Sequence, residues 1–67
     1  MNESSKRSLL AAQLTTVKIF VSEALAELDE AKLSRVLFHV SMAQASMSKA
    51  IELSNDLFKG EKDESNT

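Results

Sequence analysis

Between residues 9 and 58 apolar side chains recur at alternating intervals of three and four. The first run is Leu10, Leu14, Val17, Val21, Ala24 and Leu28. The second is Leu33, Val36, Val40, Ala43, Met47 and Ala50, with Leu57 one heptad further on. Such spacing sets each run on one side of an α-helix. The rhythm slips once, at Leu28-Asp29-Glu30-Ala31. In phase, the first run would continue to Ala31 and Arg35, but the apolar residues fall at Leu33, Val36 and Leu37. A continuous helix would swing the stripe around its axis there, so the pattern predicts an all-α antiparallel hairpin with helices over about residues 5–28 and 30–59. Ser4 or Ser5 is placed to cap the first helix, and Asp29 to cap the second, with Glu30 at the positive end of its dipole. The second helix is expected to stop near Lys59 with Gly60 in the left-handed position beyond it. Residues 1–4 and the polar run 60–67 are expected to be disordered flanks.

The apolar face is wider than the seam of two helices requires. Leu25 and Phe20 lie beside the first run, and Leu37, Ile51 and Phe58 beside the second. Roughly three apolar positions in seven suit a helix of a four-helix bundle better than one of an isolated pair. Ala24, Ala43 and Ala50 recur where small side chains let helices approach closely. The expected fold is therefore a hairpin that dimerises into a four-helix bundle. The predicted dimer core is Leu14, Val17, Val21, Leu25, Leu33, Leu37, Val40, Met47, Ile51 and Phe58. Gln44 interrupts the wide face, where a polar side chain either fixes register or keeps its amide in water. Phe38 and Met42, four residues apart, point away from the main stripe, as does Ile19. With Phe20 they form the candidate surface for another protein, since phenylalanine and methionine make adaptable contacts.

Composition narrows the functions open to the chain. Its 67 residues hold no Cys and no Pro, one Gly and one His. Disulfide and thiolate-metal staples, common in domains of this size, are therefore excluded. A net charge of −2 lacks the basic excess of a general nucleic-acid binder. Residues 6–26 superficially resemble a secretory signal, from Lys6-Arg7 to the small residues Ala24 and Ala26. The stretch between holds Gln13, Thr15, Thr16 and Lys18, too polar for the apolar segment of a signal. No uninterrupted apolar stretch approaches the roughly 18–20 residues of a membrane span, so a cytoplasmic chain with no membrane partner is expected.

Little chemistry converges. Glu23, Glu27, Asp29 and Glu30 gather near the turn, balanced by Lys32 and Arg35, but no Glu-x-x-His pair suggests a di-metal site. His39 is expected to be a partly buried helix residue. The expectation is of no enzyme, no metal and no cofactor.

In layout the chain resembles the Rop family, plasmid RNA-binding proteins whose short helical hairpins pair into a four-helix bundle. The likeness rests on length, Leu28-Asp29 at the turn, alanine-rich packing and a polar, acidic tail after a terminal Gly. It implies the paired-hairpin architecture. That family binds RNA through a polar and basic face of its first helix, where this chain has Leu9, Gln13, Val17 and Ala24, so RNA binding does not carry over. In length and amphipathicity the chain also resembles the small co-chaperones of type III secretion needle subunits, which implies a larger helical partner.

The functional expectation is a non-enzymatic interaction module, pairing with itself and binding another protein through a helix face as a regulator or adaptor. One alternative is an obligate heterodimer subunit or co-chaperone. Another is an RNA-binding regulator using Lys6, Arg7, Lys49 and Lys59 at the open end of the hairpin.

Overall fold

The computed structural model describes residues 2–65, and these form two helices, α1 (Glu3–Asp29) and α2 (Leu33–Ser65). They pack side by side as an antiparallel hairpin in a rod of 54 × 15 × 15 Å. The pattern-based expectation of an all-α hairpin holds. Its boundaries shift at every end, each for a local reason.

At the N-terminus the cap is Asn2, whose Oδ1 accepts the Ser5 amide at 2.8 Å. This satisfies one of the first-turn amides that an α-helix leaves unpaired, and it draws Ser4 and Ser5 inside the helix. Glu3 supplies a carboxylate at the positive end and pairs with Arg7 at 3.0 Å. The residues expected to be a disordered leader are thus helical from Glu3 on.

At the turn, Asp29 is the last residue of α1 rather than the cap of α2. The chain closes as a Schellman motif: Lys32 N–H donates to Glu27 O (2.9 Å) and Ala31 N–H to Leu28 O (3.0 Å). That closure places Ala31 at φ 59°, a left-handed conformation usually taken by Gly. A turn without glycine is therefore made by an alanine held at a steric cost. α2 then begins at Leu33, and the Lys32 carbonyl accepts the amides of Arg35 and Val36, both at 3.1 Å.

At the far end, α2 passes through Gly60 without a left-handed residue and continues to Ser65. A Gly inside a helix costs about 1 kcal/mol relative to Ala, too little to end a helix unaided. The predicted stop at Lys59 is thus overrun, and the expected disorder from residue 60 is replaced by helix as far as Ser65. The expectations for Met1, Asn66 and Thr67 fall outside the described residues.

The seam between the helices is itself a heptad pattern. On α1 the less exposed positions are Lys6, Leu10, Gln13, Val17, Phe20, Ala24 and Glu27, with Thr16 beside Val17; on α2 they are Val36, His39, Ala43, Ser46, Ala50, Leu53 and Leu57. Intervals of three and four alternate throughout, the geometry by which two helices keep facing each other. Among the described residues only Ala24, Ala43, Ala50 and Leu53 are buried. Small side chains bring the backbones close, but they hide little apolar surface. α1 is also long and apolar enough to cross a bilayer, by length and composition, with a mean hydropathy of 1.4 over its most apolar 18 residues.

Ala31→Gly is expected to stabilise the hairpin by about 1 kcal/mol, because glycine takes the left-handed position without the Cβ clash, partly offset by unfolded-state entropy. Ala31→Val is expected to destabilise it. Urea unfolding followed by circular dichroism tests the pair, and equal midpoints for all three chains would contradict the assignment of strain to this residue.

Candidate interaction face

One face of the hairpin carries more apolar bulk than its seam. Beside the seam of α2 runs a second heptad stripe: Leu33, Leu37, Val40, Gln44, Met47, Ile51, Ser54 and Phe58, all exposed. Leu37 is 69% exposed, Phe58 63% and Ile51 55%. Beside the seam of α1 lie Leu14, Val21, Leu25 and Leu28, also exposed, with Leu25 at 60%. In antiparallel helices these two offsets fall on the same face of the hairpin. Toward the turn, Val21, Leu25, Leu28, Val36 and Val40 line a wholly apolar groove of about 270 Å³, with Ala24 and Ala43 as its floor.

The apolar run seen in the sequence is the border between two stripes. Leu10, Val17 and Ala24 of the first run point into the seam, whereas Leu14, Val21 and Leu28 point out of it. In the second run Val36, Ala43, Ala50 and Leu57 point inward, and Leu33, Val40 and Met47 outward. Of the ten predicted dimer-core residues, nine lie on the exposed face. Val17 does not, being half-buried in the hairpin's own seam.

The border of this face has few charges. Ser41 donates its hydroxyl to the Leu37 carbonyl at 2.8 Å, and Thr15 donates to the Ala11 carbonyl at 2.8 Å. Each hydroxyl is satisfied within its own turn, which lowers the cost of covering it. At the open end the face gives way to a hollow of about 330 Å³ bordered by Glu3, Arg7, Phe58 and Glu61 among others.

The orientation of the two helices, and hence of the face, is held at the turn end by a polar clamp that the sequence reading did not assemble. His39 of α2 lies between two carboxylates of α1: its Nε2 is 2.8 Å from Glu23 Oε2, and its Nδ1 contacts Glu27 Oε1. The His39 and Glu27 side chains are only 15% and 12% exposed. Phe20 and Phe38 flank the imidazole with ring centroids at 5.8 and 5.2 Å. The ring donates to both carboxylates only when both nitrogens carry protons; a neutral ring donates to one and turns a lone pair on the other. Glu23 and Glu27 are thus partners of His39 rather than a solvated acidic cluster. Lys32 pairs instead with Glu30, at 2.7 Å. The carboxylates sit on opposite edges of the ring and share no common point. Among the described residues no group of three His, Asp or Glu side chains is arranged to hold a metal ion. The available signal was the pair Glu23 and Glu27 at one helical turn, with a lone His an equal distance beyond the break.

The predicted protein-binding residues separate. Ile19, Phe38 and Met42 are exposed, at 53%, 58% and 40%. Phe38 and Met42 lie on the side of α2 opposite the Leu33–Phe58 stripe. Phe20 is a correction: it is half-buried in the seam against His39, because seam positions recur at 13, 17, 20 and 24. The basic residues of the open end are also less available than expected, since Arg7 pairs with Glu3 and Lys49 lies 3.6 Å from Glu52. Comparison of the chain with known protein families, curated proteins and solved structures returns no match.

His39→Ala is expected to cost about 1–3 kcal/mol, since it leaves the largely buried Glu27 carboxylate without its partner. Glu23→Gln, at an exposed site, is expected to cost less than about 1 kcal/mol. Combining His39→Leu with Glu27→Leu is expected to recover much of the loss. A double-mutant cycle in urea measures the coupling, and additive effects of the two positions would contradict the clamp.

Proposed function

We propose that the hairpin is a non-enzymatic interaction module which completes its core by pairing with a second copy through the Leu33–Phe58 face. The single observation behind this reading is the division of bulk: Ala24, Ala43, Ser46 and Ala50 thin the seam, while leucines, isoleucine, methionine and phenylalanine stand exposed beside it. A lone soluble hairpin gains nothing from that distribution. The stripe on α2 is about 38 Å long at 1.5 Å per residue, on a rod 15 Å wide. Its footprint, on the order of 600 Å², is at the upper end for apolar patches on monomers and of the same order as the ~800 Å² each partner contributes to a standard stable interface. A second copy offers the same stripe, so the match in length is automatic.

The opposite side, with Phe38, Met42 and Ile19, then remains open in the pair. It is the proposed contact for a further protein, giving the module the character of a regulator or adaptor. Insertion of α1 alone into a bilayer is a competing use of the same apolar residues. It would strip Glu23 and Glu27 from His39 and place carboxylates in or near hydrocarbon, at a cost of about 2.5–3.5 kcal/mol for a charge at the bilayer centre.

Light scattering at micromolar concentration is expected to give twice the chain mass, with strong helical circular dichroism. Leu37→Glu combined with Ile51→Glu is expected to shift the mass to that of a monomer and to lower helicity. Phe38→Asp with Met42→Ser is expected to leave the mass unchanged and to remove binding of any further protein. A weakly helical monomer for the unmodified chain would assign the face to a different protein, as in a heterodimeric co-chaperone. A chain recovered only with lipid vesicles would assign it to a membrane.

A further inference from the structure

We infer, on the reading that a second copy covers the apolar face, that the two hairpins stack turn to open end, with α2 lying on α2 and the Ile51 side chain of each copy seated in the other's groove. Two face-to-face stackings keep every neighbouring helix antiparallel. In one, a two-fold axis lies across the hairpins, their turns are at opposite ends, and like helices stack. In the other, the axis runs along the bundle, both turns are at one end, and α2 stacks on the second copy's α1.

Two observations favour the first. The stripe on α2 runs from Leu33 to Phe58 without a charged residue, and stacking it on its own reversed copy covers it end to end. The same offset on α1 runs through Arg7, Leu14, Lys18, Val21, Leu25 and Leu28, so that stripe carries Lys18 within it and Arg7, bonded to Glu3, at the open end. Turns together would lay Phe58 against that charged stretch.

The second observation is the groove. Reversal about the stripe's midpoint sets Leu33 opposite Phe58, Gln44 opposite Met47, and Val40 opposite Ile51. Ile51, 55% exposed, is thereby brought over the hollow floored by Ala24 and Ala43. Turns together would set one groove over the other and leave an apolar void, which close-packed interfaces avoid.

The chain has no cysteine, so full-length single-cysteine variants report contacts without background. Mixing differently tagged Leu33→Cys and Phe58→Cys chains under mild oxidation is expected to give at least tenfold more mixed dimer than Leu14→Cys mixed with Ile51→Cys. In the alternative stacking residues 33 and 58 are roughly 38 Å apart along the bundle, while 14 and 51 are level with each other, so the ratio inverts. As a check at a surface position, nitroxides on Lys59→Cys are expected about 40 Å apart by electron resonance, against about 20 Å with turns together. A dimer by mass that shows the inverted ratio or the short distance overturns the stacking and leaves the interaction module standing. A monomer by mass overturns both.

Discussion

The close approach of α1 and α2 across small side chains decides the rest of this molecule. Two helices touching through Ala24, Ala43 and Ala50 bring their backbones together at low steric cost. Each alanine also forgoes most of the apolar area that a leucine would bury, so the contact is tight and weakly stabilising on hydrophobic grounds. The chain compensates in two ways. One is polar: His39 ties α2 to Glu23 and Glu27 of α1, with aromatic rings on either side. The other is apolar: Leu10, Val17, Phe20, Val36, Leu53 and Leu57 also lie in the seam, although more large apolar residues stand on the neighbouring face.

The turn reflects the same economy of means. Without proline, and with glycine only at position 60, the reversal must come from an L-residue in the left-handed region, and Ala31 takes it. The Schellman bonds from Ala31 and Lys32 over-determine that conformation, since they satisfy carbonyls at the end of α1 that would otherwise lack partners. Where the turn closes sets the axial register of the helices. That register in turn places His39 between the two carboxylates and aligns Val21, Leu25 and Leu28 with Val36 and Val40 around the groove.

The hairpin was legible in the sequence because a two-residue slip of phase cannot be absorbed by one straight helix. The excess of apolar surface was legible for a similar reason, since counting apolar positions needs no coordinates. What periodicity could not separate was which of two adjacent stripes faces inward. Leu10 and Leu14 differ by only about 40° around a helix, and a pattern of alternating threes and fours fits both sides of that border. Chemistry would have pointed the wrong way, for the inward stripe includes Gln13, Glu27, His39 and Ser46, and the outward one is richer in large apolar residues. Phe20 was misplaced by the same ambiguity. The helix ends were misjudged where a local rule, Gly as a stop or Asp as a cap, was outweighed by continued helix or by the Schellman closure.

The division between seam and face also sets the order in which structure can form. A hairpin with a thin, partly polar seam has little to hold it before its outer face is covered, and apolar burial grows with area. Covering that face adds the missing area and, by excluding water from the groove, strengthens the packing beneath it at Ala24 and Ala43. On the proposed pairing, folding and association are one process rather than two. Phe38 and Met42 share one side of α2, and Phe38 lies against the His39 ring that pairs with Glu23 and Glu27 of α1.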